Sequence, residues 1–237
     1  MKLICVIAGM IFMLTGTVAE AFQADGLIEP HQVIKVGSPQ VGVLATVDVE
    51  RGDYVKKGQV LATLHSNVEK ATMELKKAQK DFEERKRGRL EPLFTKDLIA
   101  AHEMGEVEPG RALAEADYKQ AAEIVNRMSI RSTVDGVVVE RYMSPGEYVE
   151  NLPILKVAQI NPLNVELILP SDKYRAIKVG MKAKVLPEKP TGGQYTAVVT
   201  IVDRVIDAAS GTFGVRLTLP NPNHKLPAGL KCKVIFP

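Results

Sequence analysis

The sequence predicts a mainly β protein carrying a helical hairpin, and three observations support that fold class. A β-type segment recurs at a fixed offset of 94 residues, the stretch between the two copies has heptad spacing, and the chain after Ile160 breaks into short alternating runs divided by turn residues. Together they predict a split β domain, an antiparallel coiled-coil α-hairpin inserted into it, and a C-terminal β-barrel. The composition agrees: 46% hydrophobic and 25% charged residues describe a folded chain. An aromatic content of 5% with no Trp suits several slender modules better than one large core. The formal charge of +3 gives no electrostatic case for nucleic acid as a partner.

The chain opens on an address. Lys2 supplies a positive start, Leu3 to Leu14 form an apolar run, and Ala19-x-Ala21 follows as a small-residue cleavage pattern. This reads as a secretory signal peptide over 1–21, too short to be a membrane span, which needs about 20 apolar residues. Export makes an internal disulfide impossible, because cleavage leaves Cys232 as the one cysteine. Cys232 stands in an alternating segment and reads as a strand residue. Residues 22–36 are expected to form a strand or linker.

The repeat comes next. Val41 to Leu64 and Asp135 to Ile160 align without a gap, pairing Gly42 with Gly136, Gly52 with Gly146, Asp53 with Glu147, Tyr54 with Tyr148, Val55 with Val149 and Leu61 with Leu155. Glycines at the reversals suit turns that need positive φ. These copies predict one β domain made from 37–65 and 129–160. Between them, at 66–128, Val68, Ala71, Leu75, Ala78 and Phe82 form one seam; Ala114, Tyr118, Ala121, Val125 and Met128 form the other. Ser66 is the expected N-cap, and arms of about 28 residues would project roughly 40 Å. Pro109 should kink the second arm or move its start to about Glu108.

Beyond Ile160, strands are expected at Leu163–Leu169, Lys182–Leu186, Tyr195–Val205, Gly214–Leu219 and Lys231–Phe236, with a short helix over Tyr174–Val179. These predict a β-barrel domain over 161–237. Catalytic motifs are missing from the sequence. His31, His65, His102 and His224 are scattered, His102-Glu103 lacks a second His four residues on, and there is no G-x-S-x-G, P-loop or post-strand G-x-G-x-x-G. The expectation is therefore no enzyme, no cofactor and no metal site.

Two resemblances follow from these residues. GDYVKKGQVLATL and TVDGVVVERYMSPGEYV resemble the halves of a biotinyl/lipoyl domain, whose turns here are Gly52-Asp53 and Gly146-Glu147. That alone would suggest a lipoyl or biotin carrier with Lys70 as attachment site, within Val68-Glu-Lys-Ala-Thr-Met-Glu74. The separated halves and the helical pattern around Lys70 argue against it. The whole arrangement, with Ser210-Gly-Thr-Phe-Gly-Val-Arg-Leu-Thr-Leu-Pro-Asn221 and Leu226-Pro-Ala-Gly229, resembles the periplasmic adaptors (membrane fusion proteins) of the HlyD/RND efflux family. The resemblance implies a periplasmic link between an inner-membrane transporter, of RND or ABC type, and a TolC-type outer-membrane channel. It also implies self-assembly, six copies forming a tube. The family's Arg-x3-Leu-x6-Ser pattern at the hairpin tip is met by Arg89 and Leu93, but Ala100 stands at the Ser position. Arg89 equally belongs to the basic run Arg85 to Arg89, suited to a helix C-terminus. By the same comparison, a short form without the family's membrane-proximal domain is expected.

Overall fold

The computed structural model describes residues 22–237; the leader and its cleavage pattern lie outside the described residues. In chain order the elements are β1 (Gln23–Val36), β2 (Gly42–Val47), β3 (Tyr54–Val55), β4 (Val60–Leu64), α1 (Asn67–Phe94) and α2 (Ala101–Arg127). There follow β5 (Ser129–Arg131), β6 (Gly136–Arg141), β7 (Tyr148–Val149), β8 (Leu155–Pro170), β9 (Lys182–Pro187), β10 (Tyr195–Val202), β11 (Thr212–Leu219) and β12 (Leu230–Ile235). The fold is mainly β with a helical hairpin. Contacts divide it into two units, one of Glu29–Leu163 with Asn221–Ala228, the other comprising the chain up to Ile28, Asn164–Pro220 and Gly229–Pro237.

The larger unit is built from the repeat, and each copy needs the other. One sheet runs β5-β4-β2-β7 and the other β1-β8-β6-β3. Each takes its two central strands from one copy and its two flanking strands from the other. The hydrogen bonds repeat the exchange reciprocally. Gly52 N–H donates to the Val138 carbonyl and Gly146 N–H to the Leu44 carbonyl, both at 2.8 Å. Val138 N–H donates to the Asp53 carbonyl and Leu44 N–H to the Glu147 carbonyl, both at 2.9 Å. Each copy also has a β-bulge at the same place, Ala45 in β2 and Val139 in β6.

The structure corrects the alignment in one respect. The offset stays at 94 through Val55 and Val149 and becomes 93 after them: Asp48 N–H donates to the Leu61 carbonyl, and its counterpart Tyr142 to the Ile154 carbonyl. Leu61 is thus equivalent to Ile154, not Leu155, because the segment after Val149 (150–153) is one residue shorter than that after Val55 (56–60). Burial follows the corrected frame, since Leu61, Ala62 and Leu64 match Ile154, Leu155 and Val157 in the same core. The equivalence also reaches further back than Val41. The Ser38 hydroxyl donates to the Gln40 carbonyl at 2.5 Å, as the Ser132 hydroxyl does to Val134 at 2.6 Å.

In the smaller unit, β1, β12, β9, β10, β11 and β8 close a six-stranded barrel through the β1–β8 pairing. Alternate residues fill it: Val165, Leu167 and Leu169 of β8, and Phe213, Val215, Leu217 and Leu219 of β11, are buried. Cys232 lies in β12 among these, buried, and desolvation first, then the charges of Asp25 and Glu188, push its thiol up to about 11. The short helix expected over Tyr174–Val179 is not formed. A 3-10 turn occupies Ser171–Lys173 and is followed by turns, with the Tyr174 ring set edge-on to Phe213 at 5.1 Å. Backbone bonds from Ala176 and Ile177 to the Lys173 carbonyl continue these turns without making a regular helix.

Gly136 shows how tightly the exchange is packed. A Cβ there would fall well inside contact distance of the Ala158 carbonyl, which is backbone and cannot swing aside. Gly88, inside α1, has open space around it. Urea unfolding of Gly136→Ala should show a loss of about 2–3 kcal/mol. Gly88→Ala should gain about 0.5–1 kcal/mol through helix propensity.

Candidate functional site

The hairpin leaves the larger unit between two paired strands, β4 and β5, with Thr63 opposite Ser129. Leu64 N–H donates to the Met128 carbonyl at 2.9 Å, so α1 leaves and α2 returns at one clamped point. Ser66 occupies the N-cap position of α1, yet its hydroxyl makes no capping bond. At 28 and 27 residues, the helices reach about 40 Å. Pro109 does not move the start of α2 to about Glu108, contrary to that expectation, for α2 begins at Ala101 and runs through it. Proline removes the hydrogen bond to the Gly105 carbonyl, and Gly105 and Pro109 are both exposed, so the freed carbonyl can be solvated by water.

The seam of α2 is largely as expected: Ala114 and Ala121 are buried and Tyr118 and Val125 half-buried, while Met128, the C-cap, joins the core of the β domain. The seam of α1 is not. Val68, Leu75 and Phe82 are 74%, 61% and 52% exposed, and α1 buries no residue fully. The row half-buried against α2 is instead Glu69, Met73, Lys76, Lys80, Glu83, Arg87 and Leu90, which also steps by four and three. Polar pairs explain the rotation. Lys76 bonds Asp117 at 2.8 Å, Arg87 approaches Glu108 at 3.9 Å, and the Lys80 ammonium lies 5.4 Å from the centre of the Tyr118 ring. Their alkyl stems cover the small residues of α2 while the charged ends find partners.

The far end is a compact tip. Asp97 takes a left-handed conformation with φ 57°, Leu98 N–H donates to the Leu93 carbonyl and Asp97 N–H to the Phe94 carbonyl, both at 2.9 Å. This is a Schellman-type stop with Asp where Gly is usual. It leaves Leu93 and Phe94 each 39% exposed and Leu98 67% exposed. Arg89 lies one turn before Leu93 on the same face of α1 and makes no ion pair within the described residues. Ala100 is the N-cap of α2, with extended backbone and no side-chain bond to the free N–H groups. The tip thus combines a cation, three apolar side chains and an uncapped helix start.

The two turns are matched in detail. Asp53 Oδ2 accepts from the Glu50 N–H at 2.8 Å, and Glu147 Oε1 accepts from the Ser144 N–H at 3.1 Å. Gly52 and Gly146 have φ of 99° and 91°. These four residues close turns and bear no free chemistry. Lys70 sits in the first turn of α1, its N–H bonded to the Ser66 carbonyl at 2.9 Å, and not on a β-turn as a carrier lysine would. No group of three His, Cys, Asp or Glu among the described residues is placed to hold a metal ion. No helix among them is long and apolar enough to cross a membrane.

Sequence reasoning passed over one further residue, Asn221. Buried, it donates to the Ile160 and Leu226 carbonyls and accepts from the Leu226 N–H, closing the 221–228 loop. Asn between prolines, Pro220 and Pro222, was the available signal.

Two outcomes are expected. Ala100→Ser should raise hairpin stability by about 1 kcal/mol, read as slower amide exchange in the first turn of α2. The second concerns acid. Hydrogen bonds from Arg111, Lys119 and Arg127 lower the carboxyl groups of Glu108, Glu115 and Glu123, respectively, below their ordinary 4.5. Groups lowered on folding contribute stability above that value and lose it as pH falls through and below it. The helical signal should therefore melt at lower temperature at pH 3 than at pH 7, and Arg111→Gln should shrink the difference.

Comparison with known proteins agrees with this geometry. At 22% identity, 80% of the chain matches 39% of the cobalt-zinc-cadmium resistance protein CzcB of Cupriavidus metallidurans. Also at 22% identity, 97% of the chain matches 63% of the membrane fusion protein MtrC of Neisseria gonorrhoeae. The chain thus spans less than two thirds of either relative. Among solved structures, a MacA-MexA chimera containing the Pseudomonas aeruginosa MexA α-hairpin has the same fold, with a TM-score of 0.76 and 20% identity over 92% of this chain and 80% of that one. Residues 32–159 match the CzcB-like, barrel-sandwich hybrid domain, and the chain belongs to that family.

Proposed function

We propose that the chain is a periplasmic adaptor of a multicomponent efflux system, linking an inner-membrane transporter to an outer-membrane channel of TolC type. The observation that carries this reading is the clamped hairpin: a lever of about 40 Å held at one point, with exposed Leu93, Phe94 and Leu98 at its end. Family membership supports it, as do the relatives named for cation resistance and membrane fusion. In this reading the divisions are functional: a sandwich over 37–65 and 129–160, a hairpin over 66–128 and a barrel over 161–237. The tip, with Arg89, Leu93 and Ala100, meets the channel; sandwich and barrel self-associate as rings, six copies to a tube; the protein works through surfaces and not as an enzyme. Removal of residues 1–21 on export leaves it in the periplasm.

Site-specific photo-crosslinking tests the proposal. A crosslinker at Leu98, in cells also producing a TolC-type channel and a transporter, should give an adduct with the channel, whereas one at Lys119 should not. Arg89→Ala should lower the yield several-fold. Channel adducts from the barrel and none from the tip would reverse the proposed orientation and sink it.

A further inference from the structure

One end of the barrel carries a hairpin with arms of unequal length. Beyond β10 and β11, Asp203 N–H donates to the Gly214 carbonyl and Asp207 N–H to the Thr212 carbonyl, both at 2.9 Å. Between those bonds three residues of one arm, Arg204, Val205 and Ile206, oppose the single Phe213 of the other. The surplus residues are pushed outward as a bulge. Phe213 stays buried, while Val205 is 80% and Ile206 40% exposed. The turn beyond is firmly closed, for the Asp207 carboxylate accepts from the Ala209 N–H at 2.9 Å and from the Ser210 hydroxyl at 3.0 Å. Two aliphatic side chains are thus held out in water by a well-bonded frame.

Charge says which partner fits. Ser171 N–H donates to the Gly211 carbonyl at 2.9 Å and Gly180 N–H to the Val199 carbonyl at 2.8 Å, so the connection over 171–181 lies at the same end of the barrel. It adds Val179, 65% exposed, together with Arg175 and Lys178, and Lys182 follows at the start of β9. Arg175, Lys178, Lys182 and Arg204 are exposed, and none of them makes an ion pair among the described residues. The carboxylates nearby are fewer and partly engaged: Asp172 approaches Lys173 at 3.8 Å, and Asp207 holds its turn. With Asp203 counted, the end is still net positive. Its apolar residues stand among unpaired cations.

We propose that this end of the barrel binds the surface of an anionic lipid bilayer, with Val205 and Ile206 entering the boundary between headgroups and acyl chains and the four cations lying among the phosphates. Lysine and arginine suit that depth, because their stems lie along apolar surface while their charges reach the headgroups. An anionic leaflet attracts each such cation near it. A protein partner suits the same surface less well. A stable protein interface buries about 800 Å² on each side around a packed core. A narrow bulge with two aliphatic tips makes no such core, yet it can wedge between headgroups. The inference goes beyond the adaptor reading, since the contact needs neither transporter nor channel.

The chain has no Trp, so Val205→Trp introduces a single fluorescent reporter. In protein recovered from the periplasm, its emission should shift to the blue on adding vesicles of phosphatidylglycerol with phosphatidylethanolamine, and not on adding phosphatidylcholine vesicles. Lys119→Trp, on the hairpin, should not respond to either. Co-sedimentation with the anionic vesicles should fall at least about tenfold in the Val205→Asp, Ile206→Asp double variant. It should fall several-fold in Arg175→Glu with Lys178→Glu, and in high salt. All four positions are exposed, so melting temperatures should match wild type. Equal binding to both vesicle types, or sedimentation unchanged by the double variant, would overturn the proposal. No vesicle binding, with a crosslinker at Ile206 capturing the transporter in cells, would assign this end to a protein partner and overturn it too. The channel adduct from Leu98 is read independently, so the adaptor reading stands or falls separately.

Discussion

The strand exchange between the two copies of the repeat is the constraint on which the rest of the larger unit depends. Neither copy can complete a sheet alone, because β7 completes the sheet of β2 and β4, and β3 that of β6 and β8. Four reciprocal backbone bonds fasten the exchange, Gly52 to Val138, Val138 to Asp53, Gly146 to Leu44, and Leu44 to Glu147. Buried backbone groups must be paired, so these bonds hold the two copies in one register across more than sixty intervening residues.

That register is what gives the hairpin its base. Since β4 and β5 are neighbours, the chain can leave at His65 and return at Met128 with its ends already adjacent. The insertion therefore adds little closure entropy, and length can vary in the helices without disturbing the sheets. The hairpin is then free to carry chemistry that a sheet would not tolerate. Its inner seam is half charged, with Lys76, Lys80, Glu83 and Arg87 facing α2, and an apolar row is left outside. Long charged side chains can do this because their stems are apolar while their ends reach a partner or water.

The repeat, the glycine turns and the barrel strands were legible because each is local: period two, punctuation and equal spacing survive in one dimension. Three features were not. The one-residue difference after the second turn is hidden because Leu61 has apolar partners at both Ile154 and Leu155, so hydrophobicity alone cannot choose. The seam of α1 was misplaced because Val68, Leu75 and Phe82 form a better apolar heptad than the row that faces α2. Pro109 was read as a breaker because its cost depends on whether the carbonyl at Gly105 can reach water, which is a matter of exposure.

Arg89, Leu93 and Ala100 were singled out by pattern, but their surroundings were not legible. Nothing in the linear order says that Asp97 turns left-handed or that Ala100 is an uncapped helix start. By itself the sequence determined the modules, their order and the turns between strands, since these follow from short-range periodicity and backbone preference. Only the tertiary structure decided which repeat supplies which strand and which face of α1 is covered. Those choices depend on hydrogen-bond partners and charged neighbours 40 to 90 residues away, as with Lys76 and Asp117 or Gly52 and Val138.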